Sequence, residues 1–380
     1  MSGVLYVIDG LQFGGGERGF LSLIQGALAA GWPVAVATHP AGRFAAEARA
    51  LGAELRPLPL DRRHALGAVR RLRRWARTGP WAVVHSQGAR ADLVARLALA
   101  GVGGVSLVST VQMPVDGFDV GPLRRAAYRR LDRLGRGRVD RFVVVSAALQ
   151  RTLVSAWRLD PARVRLIPNG VAVDRTAPPR PAALRRLLGV ESASAVVGAV
   201  GRLVRQKGFD TLLAALPALL ARRPGTQLAV VGEGPERESL ARLARARGVG
   251  EAVVFAGFRP DAPRLLPAFD VLAVPSRREG APLVTLEAMA AGVPVVASAI
   301  PGIDEQITDG VEGLLVPPDD PPALAAALAR VLDDRALAAR LGEAGRRRVR
   351  AAYDVRDTVA RTLALYHEVA GAPRAAVGPR

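Results

Sequence analysis

Apolar positions along the chain fall into two alternating rhythms. Short continuous runs at residues 5–8, 34–38, 54–58, 81–85, 105–109, 142–145 and 164–167 read as buried strands. Between them apolar residues recur at the three- and four-residue spacing of helices that bury one face. Strands that alternate with helices are joined by crossovers, so the pattern predicts a parallel, doubly wound α/β sheet. Pro168-Asn169-Gly170 closes this half and residues 176–181 read as a linker. The rhythm then restarts, with strands at 195–200, 227–231, 253–255, 271–276, 293–298 and 314–316. The expected organisation is therefore two similar Rossmann-like domains, residues 1–174 and 175–354, with a last helix at about 355–370.

Residues 278–292, REGAPLVTLEAMAAG, form the densest stretch of candidate chemistry. They join two strands, and the loop lies at the carboxyl end of the first, where open α/β sheets bind ligands. Pro282 suits the first helical position, and the N–H groups of Leu283, Val284 and Thr285 would then point at an anion such as phosphate. Glu279 belongs to the loop at the pocket mouth. Glu287 lies more than one turn inside an apolar helix. It reads as a buried carboxylate needing donors such as sugar hydroxyls, with a salt-bridged core carboxylate as the other reading. Arg202 and Lys207 flank another strand-to-helix junction at the same edge, and two cations with a helix N-terminus neutralise a diphosphate without a metal. There is no DxD triplet, and the four histidines are too scattered for a ligand set. In the first half, residues 10–16 form a glycine-rich strand-to-helix turn suited to close backbone approach, though not the dinucleotide fingerprint, with a plain tight turn as the other reading.

Composition narrows the classes. A chain of 380 residues exceeds one ordinary domain, and half of it is apolar, enough for two large cores. Without cysteine, disulfides and thiolate chemistry are excluded and an intracellular setting fits. The start, MSGVLYVIDG, lacks a basic leader segment, and residues 97–115 carry too many glycine and polar positions for a membrane span. Residues 1–174 hold 25 arginines against 12 carboxylates and residues 175–380 hold 28 basic against 22 acidic groups, so the first half is the more basic. Arg70, Arg71, Arg73, Arg74 and Arg77 form one cluster. Arg124, Arg125, Arg129, Arg130, Arg133, Arg136, Arg138 and Arg141 form another. Both map to expected helices, as an anionic membrane surface would require, with a solvated helix face as the other reading. Nucleic acid is not an expected partner, because aromatics are 4% of the chain and no binding module is recognisable. Of 53 basic residues one is lysine, Lys207. Surviving so strong a bias toward arginine makes it a candidate position where a compact point charge matters, with chance survival of one surface lysine as the other reading.

Taken together, GGGER at 14–18, VVHS at 83–86, VVVS at 143–146, IPNGV with Asp174, VGRL with QKG at 200–208, VGEGP at 231–235, and EGAPLVTLEAMAAGVPVVAS with GLLVPP resemble the retaining family-4 glycosyltransferases of the GT-B fold over nearly the whole length. The resemblance implies two Rossmann-like domains facing each other across a cleft, the terminal helix at 355–372 crossing back onto the first domain. It implies that Glu287 holds the nucleotide ribose, that Arg202 and Lys207 hold the diphosphate, and that Glu279, Gly280, Pro282, Leu283 and Val284 face the donor. Gly15 would approach the donor from the first domain, which also binds the acceptor. Arg202, Lys207 and Glu279 are the implied catalytic residues, with no cofactor and no metal.

The implied activity is transfer of a sugar from a UDP- or GDP-linked donor to a glycan, lipid-linked or small polyol acceptor, in the cytoplasm or on the inner face of its membrane. Gln112 and Gln87 stand where many relatives carry histidine. An amide hydrogen-bonds a sugar hydroxyl but moves no proton near neutral pH, so either the acceptor site is specialised or turnover is impaired. His85 and Gln112 are the acceptor-side candidates. A non-catalytic sugar-nucleotide-binding or membrane-associated protein, and a nucleotide-sugar epimerase on the same architecture, are the competing readings.

Overall fold

The structure, a computed structural model, describes residues 2–11, 13–61, 63–113, 130, 133, 135–173, 181–191 and 195–371. The chain divides into two compact units, Met1–Asn169 with Val355–Arg380, and Gly170–Asp354.

The first unit is built on seven parallel strands: β1 (Gly3–Ile8), β2 (Val34–Thr38), β3 (Glu54–Pro57), β4 (Trp81–Gln87), β5 (Ser106–Val111), β6 (Arg141–Val144) and β7 (Val164–Leu166), in the order β3-β2-β1-β4-β5-β6-β7. The order reverses between β1 and β4, the switch point of a doubly wound sheet. Two strands of this unit extend at their carboxyl ends past the sequence expectation. β4 continues through Ser86 to Gln87 because Ile8 on one side and Thr110 on the other pair with Gln87, and β5 runs to Val111. His85 thus sits inside its strand, while Gln112 is the first residue beyond β5.

The helix Val355–Gly371 is an integral part of this unit. Leu365, Tyr366 and Val369 enter the core that holds Tyr6, Phe20 and Phe142's neighbour Val143. Thr358 Oγ1 donates to the Pro168 carbonyl (2.9 Å), Ser106 Oγ to that of Val369 (2.9 Å), and Glu368 pairs with Arg141 and Arg165.

The second unit carries six parallel strands: β8 (Val196–Val200), β9 (Gln227–Val231), β10 (Val253–Gly257), β11 (Val271–Val274), β12 (Val295–Ser298) and β13 (Leu314–Val316), in the order β10-β9-β8-β11-β12-β13. It repeats the winding of the first, with its switch point between β8 and β11. Both faces are covered. Leu228 and Val230 enter one hydrophobic core while Ala229 and Val231 enter the other, the two-residue alternation of a strand buried on both sides.

Helix Leu283–Ala291 follows β11. Pro282, expected as its first residue, is its N-cap, with an extended ψ of 128°; its carbonyl accepts from Gln306 Nε2 (3.3 Å). The amides left without an intrahelical partner remain those of Leu283, Val284 and Thr285.

Candidate functional site

Two loops at the switch point of the second sheet bring the principal candidates together. After β8 the chain runs through Gly201 and Arg202 to a single 3-10 turn, Arg205–Lys207, and enters helix Phe209–Arg222 at Gly208. Gly208 has φ +67°, and a Cβ there would strike the carbonyl of Pro275, so this position needs glycine for both its conformation and its close approach. The contact draws the Lys207 turn against the loop that follows β11. Lys207 Nζ donates to Glu279 Oε1 at 2.6 Å and Ser276 Oγ to the same oxygen at 2.7 Å. The Glu279 side chain is only 5% exposed and that of Lys207 22%. A carboxylate that deep needs charge-assisted partners, and it has two.

Both glutamates are half-buried as residues, and the Glu279 side chain, expected at the pocket mouth, is enclosed. Glu287, expected to be buried inside its helix, is half-buried and has a partner of its own. The reason is helical geometry: Leu283, Leu286 and Met289 fill the buried stripe, and Glu287 stands roughly 100° around the axis from Leu286. Gly280, Pro282 and Leu283 are buried and Val284 half-buried. Gly302, at φ +90°, packs on the Gly280 carbonyl where a Cβ would collide, fixing the loop from its other side. Arg202 is exposed in the same loop as Lys207.

Sequence reasoning missed Arg277. Its guanidinium bonds Asp210, Asp319, Thr211 and the Arg205 carbonyl. Burial alone would raise the Asp210 carboxyl, but hydrogen bonds and charge from Arg277 hold it below its ordinary range. One arginine among 52 carries no signal in composition.

In the first unit, Gly15 opens helix Gly15–Ala29, with Gly14 as N-cap donating its N–H to Glu17 Oε2 (3.0 Å). Beside that turn lies a chain of amides. Gln87 Nε2 donates to the Gly16 carbonyl (2.9 Å), Gln112 Nε2 to Gln87 Oε1 (3.2 Å), and Asn169 Nδ2 to Gln112 Oε1 (3.0 Å). His85 is not part of it. Fully buried, its Nδ1 meets Tyr366 Oη (2.5 Å) and its Nε2 meets Thr110 Oγ1 (2.7 Å). Burial pushes its pKa down to about 3. Both nitrogens are committed inside the core, so the acceptor-side assignment of His85 is withdrawn.

The arginine clusters divide by use. Arg73 donates to the carbonyls of Leu97 (2.8 Å) and Ala98 (2.9 Å), closing the end of helix Ala89–Leu99. Arg70, Arg74 and Arg77 are exposed on helix Ala65–Thr78 beside Leu66, itself 77% exposed. In the second cluster Arg138 bonds the carbonyls of Leu99 and Val105, and Arg141 pairs with Glu368. These two lie in a 3-10 turn and a strand, not in the expected helix. Arg124, Arg125 and Arg129 lie outside the described residues, as do Asp174 and most of the loop at 111–121. Among the described residues no group of His, Cys, Asp or Glu is arranged to hold a metal ion, and no helix is long and apolar enough to cross a membrane.

Residues 13–175 match the family model described as Glycosyltransferase Family 4 and residues 183–348 that of Glycosyl transferases group 1. A GDP-mannose-dependent monoacylated alpha-(1-6)-phosphatidylinositol monomannoside mannosyltransferase of Corynebacterium glutamicum is 35% identical over 269 residues, 67% of this chain and 68% of the relative. This chain is a family-4, group 1 glycosyltransferase.

Another relative of the glycosyltransferase, the GDP-mannose-dependent alpha-(1-6)-phosphatidylinositol monomannoside mannosyltransferase of Mycolicibacterium smegmatis, is 38% identical over 241 residues, 60% of this chain and 62% of its own. The chain therefore spans less than two thirds of that protein's length. Two solved structures share the fold. A sucrose-phosphate synthase from Thermosynechococcus elongatus superposes with a TM-score of 0.83 at 24% identity, over 97% of this chain and 99% of that one. Anabaena HepE in complex with UDP and glucose gives 0.85 at 22%, over 97% and 100%. The glycosyltransferase has the GT-B fold, with Rossmann-like sheets of seven and six strands.

Proposed function

We propose that this glycosyltransferase moves a sugar from a UDP- or GDP-linked donor to a hydroxyl of a glycan, lipid-linked or small polyol acceptor, retaining the anomeric configuration and requiring neither cofactor nor metal ion. The observation that carries the reading is the Lys207–Glu279 pair at the switch point of the second sheet, in the loop that leads into the amides of Leu283, Val284 and Thr285. Fixed cations and aligned N–H groups answer the charge that grows on a departing diphosphate. Lys207, Arg202 and those amides take that role. As Lys207 turns to the phosphates, Glu279 is released to accept hydrogen bonds from sugar hydroxyls, and Glu287 receives the ribose. The glycosidic C–O bond to the diphosphate breaks while the acceptor oxygen bonds the same face of the sugar. The acceptor's proton passes to the leaving phosphate oxygen. Gln112, held by Gln87 and Asn169, aligns the acceptor without taking part in proton transfer.

The names of the mannosyltransferase relatives support a nucleotide-linked sugar and a lipid-linked acceptor. The outer face of helix Ala65–Thr78, with Leu66, Arg70, Arg74 and Arg77 and no acidic residue, is suited to an anionic membrane surface.

Purified protein incubated with a panel of UDP- and GDP-sugars and acceptors releases nucleoside diphosphate, and NMR of the product gives the donor's anomeric configuration. EDTA leaves the rate unchanged. Lys207→Ala lowers nucleoside diphosphate affinity by about 1.5–3 kcal/mol, the worth of a charge-assisted contact. Unaltered affinity in calorimetry refutes the assignment. Turnover of donor to an isomer with no acceptor present points to the epimerase reading instead.

A further inference from the structure

We propose that Arg277 is a positioning residue, the clamp that holds Lys207 and Glu279 in register at the edge of the second sheet; this rests on the donor-site reading above.

A guanidinium has five N–H groups, and those of Arg277 match five acceptor contacts. Nε donates to Asp319 Oδ1 at 2.7 Å. Nη1 donates to Asp210 Oδ1 at 2.8 Å and to the Arg205 carbonyl at 2.6 Å. Nη2 donates to Asp210 Oδ2 at 2.8 Å and to Thr211 Oγ1 at 3.3 Å. A side chain so fully engaged has no donor left for a substrate, which separates its role from that of Arg202 or Lys207.

With its partners it joins three loops that meet at the carboxyl edge. Arg205, Asp210 and Thr211 belong to the junction after β8, Arg277 itself to the loop after β11, and Asp319 to the turn after β13. The main chain stitches the first two together as well. The Arg277 N–H donates to the Gln206 carbonyl (2.8 Å) and Gln206 Nε2 donates to the Arg278 carbonyl (3.1 Å). Lys207 is thus bracketed by Arg205 and Gln206 on one side and Asp210 and Thr211 on the other, all tied to Arg277, while Glu279 lies two residues beyond Arg277.

Asp319 adds a sign of design. It is a non-glycine residue at φ +57°, a backbone state that needs compensation from its surroundings. Here it brings one carboxylate oxygen to both Arg277 and Thr211. A lysine stem is long and flexible; its charge is useful to a diphosphate only if its root is fixed, and Arg277 fixes the root.

The chain's single lysine makes this measurable. Amine acylation of the intact protein modifies Lys207 and the N-terminal amine, and peptide mapping resolves the two. In Arg277→Lys, which keeps a charge but loses the planar fork and whose added amine at 277 is mapped separately, Lys207 acylates several-fold faster, and the donor KM rises about tenfold with a smaller change in kcat. Asp319→Asn removes one arm and moves both quantities in the same direction by less. It also serves if Arg277→Lys fails to fold.

Each variant is read well below its own Tm. A lowered Tm with wild-type Lys207 acylation and wild-type donor KM overturns the proposal and leaves Arg277 a simple structural ion pair. In unaltered protein, added nucleoside diphosphate protects Lys207 from acylation. Failure of that protection removes the donor-site reading, while the clamp is still judged on the acylation rates of the variants.

Discussion

His85 has both ring nitrogens hydrogen-bonded and no exposed surface, so the neutral imidazole is built into the first unit. Its pKa falls from an ordinary 6.5 to about 3 through burial. The unfolded chain therefore takes up a proton below pH 6.5 that the folded chain refuses until about pH 3. Stability contributed by this residue is complete above pH 6.5 and declines as the pH falls through that window. The loss reaches about 2 kcal/mol by pH 5. Urea unfolding followed between pH 7 and 5 checks this, and His85→Gln flattens the slope. An equal slope in the variant assigns the pH dependence to other groups. His85 also shows what a motif conceals. VVHS is legible in the sequence, but the direction of the imidazole depends on Tyr366, 281 positions away. Glu279 makes the same point: it was legible as a candidate, but the ion pair that encloses its side chain depends on Lys207, 72 positions away.

At the scale of elements, apolar rhythm identified the strands, and the errors were confined to their ends. β4 and β5 are longer than their apolar runs because a parallel strand ends where its neighbours stop offering carbonyls and N–H groups, a property of the sheet rather than of the segment. The two extra residues of β4 move His85 from an edge into the core and bring Gln87 to the edge. Helix Ala65–Thr78 raises the opposite question of which arginines build and which bind. Arg73 caps a neighbouring helix, whereas Arg70, Arg74 and Arg77 face outward with Leu66. Substituting Arg70, Arg74 and Arg77 together by Gln should abolish cosedimentation with anionic vesicles and leave the absence of binding to neutral ones unchanged. If the triple variant still sediments, the contact lies elsewhere in the chain.

Across the whole molecule, two sheets of the same winding belong to two compact units with their own cores. All four tryptophans, Trp32, Trp75, Trp81 and Trp157, lie in the first unit, so tryptophan fluorescence reports its unfolding alone. The diphosphate-binding residues lie in the second. Saturating nucleoside diphosphate should raise the calorimetric transition of the second unit by about 2.7 kcal/mol at a hundredfold excess over Kd, with a smaller shift in the fluorescence transition. A larger shift in fluorescence than in calorimetry places the ligand in the wrong unit.

Local pattern alone determined the alternation of strands and helices, the doubling of the fold, the amide-rich start of helix Leu283–Ala291 and the singular lysine, because each is written in residues adjacent or nearly adjacent along the chain. Tertiary structure decided the pairing of Lys207 with Glu279 across 72 positions, the engagement of Arg277 with two other loops, and the burial of His85. Those outcomes depend on which loops the sheet order brings side by side. In a chain whose basic residues are nearly all the same amino acid, composition gives an arginine that braces a loop and one that meets a ligand the same letter.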